Sequence, residues 1–268
     1  MSELVNLMPG MWFGEKKNEK EISHMKANMQ NIKSDQELVL SIVEILKSGD
    51  FSVKKNLIEL MNSTKEENVL NLCIRVFCSI ATHDELTNDN LAFVDEASDF
   101  ALLTFASYAP NTLSYHIVPY LLALLEDWEY TDSDVEEALK DSLNGMLGYY
   151  NILGEDAETE EIGEYYLNDT DHIDEKIYYY GQKPVFPGEL TKELVEKAYI
   201  SLNSGKAMDM FIIPSLLSIW SGLKCPIEYG TVVDQEIMNS LNKYIDELVN
   251  IPWKKGEKYF YSIQVSEK

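Results

Sequence analysis

The stretch IVPYLLALLEDWEYTDSDVEEALKDSL, residues 117–143, decides the fold class of this chain. Its first half places a proline ahead of a run of leucines, as at the start of an apolar-faced helix. Its second half opens with Ser133 and Glu136 at the spacing of a capping box, in which each side chain bonds the other residue's backbone amide. The junction, residues 126–137, holds seven acids and no base. The pattern predicts two helices joined by an acidic turn.

Helical patterning of this kind extends over most of the chain. Capping-box spacing recurs at Ser34 with Glu37 and at Thr64 with Glu67. Caps and apolar periodicity predict helices at 34–49, 52–62, 64–81, 88–109, 112–128, 133–150, 156–167, 191–203, 206–221 and 234–250. KYFYSIQV, residues 258–265, alternates like a strand, and no strand–helix–strand rhythm is visible. We therefore predict an all-α fold with a short C-terminal β-strand.

An internal similarity refines this prediction. The segments IVPYLLALL (117–125) and IIPSLLSIW (212–220) share a proline and a double leucine, and each precedes a polar connection and an acid-started helix. The run 117–143 resembles a HEAT or armadillo-type repeat, and residues 57–77 resemble a weaker member. Such repeats stack helix pairs around a continuous core. This favours an irregular helical-hairpin stack, a HEAT/armadillo-like α-solenoid. Because the two matches lie 95 residues apart, an irregular helical bundle remains the alternative.

The chain divides into an N-terminal arm and one large domain. Residues 1–33 are polar and methionine-rich around PGMWFG, and we interpret them as an arm or cap. Residues 34–268 are predicted to form a single helical domain, which is long enough to bury a substantial core. Within that domain, residues 76–175 form an acidic central part. Residues 168–190 have the composition of a linker-like loop that crosses to the C-terminal helices.

The net charge of −24 is concentrated in the acidic central part. Residues 76–175 hold 24 acids and one base, Lys140, whereas residues 1–75 have a net charge of −1 and residues 176–268 a net charge of 0. A field this one-sided repels nucleic acid and anionic membranes, and it steers cationic partners toward the protein. The predicted partner is therefore a basic protein, with no nucleic acid and no membrane as ligand.

The chain lacks the motifs of a metal or catalytic site. An EF-hand calcium loop begun at Asp127 would place Asp132 where glycine is required and Ala138 where a bidentate glutamate belongs. DTDHIDE, residues 169–175, groups a histidine with acids but adds no second histidine or cysteine, so a solvated loop is favoured over a metal site. The sequence shows no serine elbow, activated cysteine or phosphate-binding glycine loop. We predict a non-catalytic protein without cofactor or metal.

Cysteine usage and hydropathy indicate the compartment. Cys73, Cys78 and Cys225 are too few for a disulfide framework, and their apolar surroundings predict core thiols. No apolar run of about 18 residues occurs, and the N-terminus does not resemble a secretory signal. We expect a cytoplasmic protein.

Aromatic residues cluster with the acids. Eleven of the 16 tyrosines lie between residues 108 and 180, and Trp128 lies inside the acidic turn. Tyrosine and tryptophan beside charge are favoured interface anchors, although helix tyrosines also bury their rings for structural reasons. Glu126, Asp127 and Glu129 stand at the negative end of the first helix, where capping does not account for them. The predicted partner-binding residues are Glu126, Asp127, Trp128, Glu129, Tyr130, Asp132, Asp134, Tyr165 and Tyr166.

Three stretches carry a resemblance to a class of bacterial proteins: PGMWFG (9–14), PYLLALLEDWEYTDSDVEEAL (119–139) and PWKKGEKYFYS (252–262). With the acidic, helical character of the chain, they resemble immunity proteins of contact-dependent and polymorphic toxin systems. The resemblance implies stoichiometric inhibition of a cognate toxin, often a cationic nuclease, without catalytic residues. The carboxylates would then mimic the phosphates that the toxin binds. The alternative is a HEAT-like scaffold or adaptor that binds a host protein or peptide.

Overall fold

A computed structural model describes residues 16–131, 133–170, 173–210 and 212–266. The helices are α1 (Glu19–Asn28), α2 (Asp35–Lys47), α3 (Lys54–Ser63), α4 (Glu67–Ile80), α5 (Asp99–Tyr108), α6 (Val118–Trp128), α7 (Asp134–Leu147), α8 (Tyr150–Leu153), α9 (Thr159–Asp169), α10 (Pro187–Ser204), α11 (Ile212–Ser221) and α12 (Gln235–Val249). Two antiparallel hairpins pair β1 (Tyr179–Tyr180) with β2 (Lys183–Pro184) and β3 (Tyr259–Phe260) with β4 (Ile263–Gln264). The all-α prediction is confirmed.

Local chemistry sets several of the helix ends. The Ser34 hydroxyl accepts a bond from the Glu37 amide at the start of α2, and the Asp234 carboxylate caps α12 by accepting from the Ile237 amide at 2.8 Å. Helix α7 ends where Gly148 adopts a left-handed backbone, with φ 71°. These residues satisfy backbone groups that a helix end leaves without partners.

The first nine helices pack largely as consecutive neighbours. Helices α2, α3, α4 and α5 contact each other in chain order; α5 then contacts α7, α7 contacts α6, and α6 contacts α9. Helices α10, α11 and α12 form a second group in which α10 contacts both others. The stack buries a core that includes Phe77, Phe105 and Trp220. Neighbour-to-neighbour packing is the arrangement that the helical-hairpin prediction describes.

The C-terminal hairpin joins the two groups of helices, because β3 contacts both α4 and α11. Just before β3, the side-chain nitrogen of the fully buried Lys258 hydrogen-bonds the carbonyls of Cys78, Ala81 and Thr112 at 2.9, 3.0 and 3.2 Å. The first two carbonyls belong to the end of α4, where backbone carbonyls have no partner within the helix. This contact between segments 146 to 180 residues apart distinguishes the fold from an open solenoid, in which each repeat touches only its neighbours.

The turn of the same hairpin closes α11. Tyr261 and Ser262 both have positive φ, at 52° and 66°, as in the hairpin turn whose twist matches that of the strands. Their amides donate to the carbonyls of Ile219 and Trp220 at the end of α11. The single strand predicted at 258–265 is therefore a two-stranded hairpin that caps two helices.

Several of the predicted helix starts were wrong, including 112, where α6 begins at Val118, and 206, where α11 spans Ile212–Ser221. Helix α4 has Glu66 as its N-cap, and Thr64 instead donates its hydroxyl to Asp35 at 2.7 Å, linking α4 to α2. The helix predicted over 88–109 is divided, because residues 92–96 form a 3-10 turn and Ser98 then caps α5. A serine N-cap is strongly preferred at a helix start, so the chain begins a new helix there.

The loop predicted at 168–190 was too long. Its second half contains the β1–β2 hairpin, and α10 already begins at Pro187. Proline fits the first turn of a helix because no amide there needs an intrahelical partner. The start expected at 191 therefore moves four residues toward the N-terminus.

The two similar segments both form helices, α6 and α11, but their surroundings differ. Helix α6 packs on α7 and α9, whereas α11 packs on α10 and on β3. The shared proline and leucines thus lead to a buried helix in each case, but the two helices do not have equivalent packing partners. Within the described ranges, no helix combines the length and apolarity that crossing a bilayer requires.

Candidate functional site

We call residues 126–137 the acidic corner. Helix α6 ends at Trp128, a turn follows, and α7 begins at Asp134. Tyr130 turns the chain with a positive φ of 65°, a conformation that costs energy for a residue with a side chain. The structure therefore has the helix–turn–helix geometry that the sequence predicts. Asp132 lies outside the described residues.

Glu136 and Ser133 hold the turn together. The Ser133 hydroxyl accepts from the Glu136 amide at 3.2 Å, which is one half of the predicted capping box. The Glu136 carboxylate does not return the bond to Ser133; it accepts from the Thr131 amide at 2.9 Å and pairs with Lys140 at 3.0 Å. Lys140 is the single base of residues 76–175, so the one local cation neutralises a carboxylate that already has a structural role.

Glu129 connects the acidic corner to α9. Its side chain is half-buried, and the carboxylate accepts from the Thr159 amide at the start of α9 at 2.8 Å. A carboxylate at this position satisfies a free helix amide and meets the positive end of the helix dipole. Glu129 therefore has a structural role besides the partner contact predicted for it.

The remaining described acids of the acidic corner face solvent. Glu126, Asp127, Asp134 and Glu137 are exposed. Within the part of the chain that the structure describes, none of these four has a base within ion-pair distance. Their charges lie together at one end of the α6–α7 pair, and little internal charge opposes them.

The predicted aromatic contacts differ in exposure. Tyr130 is 74% exposed at the tip of the turn. Trp128, Tyr165 and Tyr166 are half-buried and pack against the core. Burial, together with the charge of Glu175, raises the pKa of Tyr166. The structure thus exposes most of the Tyr130 side chain, whose hydroxyl bonds Glu158, and half-buries the other three.

A groove opens between α6 and α9, beside the acidic corner. It encloses about 720 Å³, and its apolar lining includes Leu122, Ala123 and Leu167. Four glutamates, Glu126, Glu129, Glu158 and Glu160, also line it, and among the described residues no base does. We call this feature the α6/α9 groove. It unites Glu126, Glu129 and Tyr166 of the predicted residues.

A second hollow lies on the other side of the acidic corner, along α7. It encloses about 460 Å³; Asp134, Glu136, Glu137, Asp141 and Glu155 supply its acids, and the paired Lys140 also lines it. Ile152, close to it in sequence, is 65% exposed. Asp134 is the predicted residue that this hollow contains. The acidic corner therefore stands between two acid-lined depressions.

Apart from Tyr165 and Tyr166, sequence reasoning missed what α9 and the residue before it contribute to the site. Glu158, Glu160 and Leu167 line the groove but were not among the predicted residues. The run ETEE at 158–161 was the available signal. The sequence alone does not show that α9 packs against α6, because that contact depends on tertiary structure.

The site has no arrangement suited to metal or covalent chemistry among the described residues. No group of three or more histidine, cysteine, aspartate or glutamate side chains is placed to hold a metal ion in those ranges. All three cysteines are buried, and desolvation raises the pKa of Cys78 and of Cys225 to about 12.

Comparison with protein-family models matches residues 7–265 to Immunity protein 47. The match spans nearly the whole chain, including the acidic corner, both depressions and the C-terminal hairpin. We found no significant match among curated proteins or among solved structures.

Proposed function

The chain belongs to the Immunity protein 47 family, and we propose that it neutralises a cognate toxin by binding it stoichiometrically. Immunity proteins of this kind are typically non-catalytic inhibitors, in keeping with the predicted absence of catalytic motifs. Family membership favours toxin binding over the scaffold or adaptor hypothesis. We place this binding in the cytoplasm.

The acidic corner is the proposed contact surface. The observation that carries this assignment is a concentration of charge without neutralisation. Its one neighbouring base, Lys140, is already paired with Glu136, while Glu126, Asp127 and Asp134 point into solvent. Carboxylates that stay unpaired in the free protein are available to lysines and arginines of a partner.

Exposed apolar side chains flank these charges. Tyr130, Ile152 and Leu167 are 74%, 65% and 70% exposed. Interfaces gain most of their binding energy from a few such anchors, whereas surrounding charges steer the encounter and set specificity. Tyr130 is the proposed aromatic anchor at the tip of the turn; Trp128, Tyr165 and Tyr166 support the surface from below.

The proposed partner is a toxin with a basic surface, and a nuclease fits this description. A nuclease must attract phosphates, so an array of carboxylates can occupy the same cationic surface. Because long-range steering is screened by salt, association should slow as ionic strength rises.

The test uses a cognate toxin domain, to be sought among the genes beside this one, and a fourfold amide variant. We would change Glu126, Asp127, Asp134 and Glu137 to their amides, leaving the structural Glu129 and Glu136 intact. The variant should fold as the wild type does and bind the toxin at least about tenfold more weakly, chiefly through slower association.

The control removes the same charge from another part of the surface. Glu193, Glu236, Asp246 and Glu247 are exposed on α10 and α12, and their amides change the net charge equally. Toxin affinity should remain close to that of the wild type in this control. Equal losses in both variants would mean that net charge, and not the acidic corner, governs binding.

A further inference from the structure

The α6/α9 groove has a shape that the charge of the acidic corner alone does not explain. A solvated acidic surface needs no depression, yet here about 720 Å³ lies between two helices. The volume falls within the range of pockets that accept ligand groups. Part of its lining is apolar, and Leu167 in that lining is 70% exposed.

Gly163 lines the groove without a side chain. It lies inside α9, and a Cβ built on it would meet no atom within 4 Å. Its φ does not lie in the left-handed region. Neither packing nor backbone conformation therefore requires glycine, which costs about 1 kcal/mol relative to alanine in a helix interior. Close approach by another molecule is a remaining use for the missing side chain.

The glutamates that line the groove favour a positively charged ligand. Glu126 projects from α6 and Glu160 from the first turn of α9, so carboxylates stand on both sides. Among the residues that the structure describes, neither has a base within ion-pair distance. When a partner segment inserts an apolar side chain between them, the lysines or arginines next to that side chain come into contact with the two unpaired carboxylates.

From these observations we infer that the α6/α9 groove receives a segment of the toxin in which one or two apolar side chains stand between lysines or arginines. This inference rests on the proposed function and makes it more specific. The apolar group packs over Gly163 and against Leu167, and the flanking cations pair with Glu126 and Glu160. The groove then supplies buried apolar area, while the rest of the acidic corner supplies attraction.

Two substitutions test the groove with the same toxin domain. Gly163→Leu places a side chain in the α6/α9 groove. It should lower the affinity for the toxin at least about tenfold, because the apolar side chain of the toxin can no longer enter. Leu167→Ser removes apolar contact and should lower affinity on the order of tenfold as well. Calorimetry or surface plasmon resonance gives both dissociation constants.

A second glycine provides the matched control. Gly145 also lies inside a helix, α7, and a Cβ built there likewise meets no atom within 4 Å, but it does not line the groove. Gly145→Leu should leave toxin affinity unchanged. Should Gly163→Leu fail to fold, Leu167→Ser still decides the question, because its side chain is exposed in the free protein.

The dependence of affinity on salt concentration distinguishes the apolar contact from the charged contact. The loss of affinity caused by Leu167→Ser should be the same at about 0.05 M and about 0.3 M salt, whereas the loss caused by Glu126→Gln should shrink at the higher value. Tight toxin binding by the wild type with unchanged affinity in Gly163→Leu and Leu167→Ser would overturn the groove assignment alone. Absence of toxin binding by the wild type would overturn the proposed function together with it.

Discussion

Replacing Lys258 by methionine should change how the stability of the fold depends on pH. Desolvation in its fully buried site lowers the pKa of Lys258 from 10.5 to about 7. Between pH 7 and 9 the unfolded chain holds a proton that the folded chain has largely released. The free energy of unfolding therefore rises with pH, because the unfolded state binds more protons.

The structure gives a magnitude for this rise. One such proton contributes about 1.4 kcal/mol per pH unit once release is complete, so Lys258 adds about 2 kcal/mol between pH 7 and 9. The three buried thiols oppose it, because burial raises the pKa of each above its ordinary 9.0 and only the unfolded thiols ionise in this range. Their combined effect is about −1 kcal/mol, which leaves a net rise of about 1 kcal/mol in the wild type.

Urea unfolding at pH 7 and pH 9 measures the contribution of Lys258 and that of the three thiols to the change in stability. In Lys258→Met the rise should become a fall of about 1 kcal/mol, since only the thiols remain. Methionine also leaves three carbonyls without their donor, which lowers the stability at every pH. The comparison therefore uses the change in the free energy of unfolding between pH 7 and pH 9 within each protein. Lys254→Met, at an exposed lysine of the same segment, should keep the wild-type behaviour. Parallel pH dependence of the wild type and Lys258→Met would refute the reasoning.

Three further predictions concern the fold and the metal question. Ser133→Ala should lower the free energy of unfolding by about 1 kcal/mol in urea, because α7 loses its N-cap. Burial lowers the pKa of His83 from 6.5 to about 4, so acid protonates the unfolded chain first. Stability should fall by about 2 kcal/mol more between pH 7 and pH 5 in the wild type than in His83→Gln, measured by urea unfolding; equal losses would exclude this origin. Calcium titration by calorimetry should show no saturable binding in the micromolar range, and such binding would restore the metal-loop hypothesis for the acidic corner.

Features encoded within one segment could be predicted from the sequence. Helix α7 begins after Ser133, as the capping pattern predicts, because the cap and the apolar face lie within a few residues of each other. The acidic corner was placed between two helices for the same reason. The second half of its capping box was not formed, since the Glu136 side chain finds the Thr131 amide instead. That choice depends on the shape of the turn.

Features made by distant segments could not be predicted. Lys258 in the sequence is one lysine of a mixed stretch, yet it bonds carbonyls 180, 177 and 146 residues away. The α6/α9 groove likewise requires knowing that α9 packs on α6. The exposure of the individual tyrosines could not be predicted for a related reason. Composition cannot tell a buried ring from a free one, and of the tyrosines from 108 to 180 Tyr130 is the one that the structure leaves largely exposed.

The acidic corner as the toxin-binding surface is tested most directly by hydrogen–deuterium exchange of the complex with the cognate toxin domain. Backbone amides of residues 126–137 and of α9 should exchange more slowly in the complex than in the free protein. Amides of α10 and α12 should exchange at unchanged rates. Protection confined to α10 and α12, with residues 126–137 unaffected, would contradict the assignment.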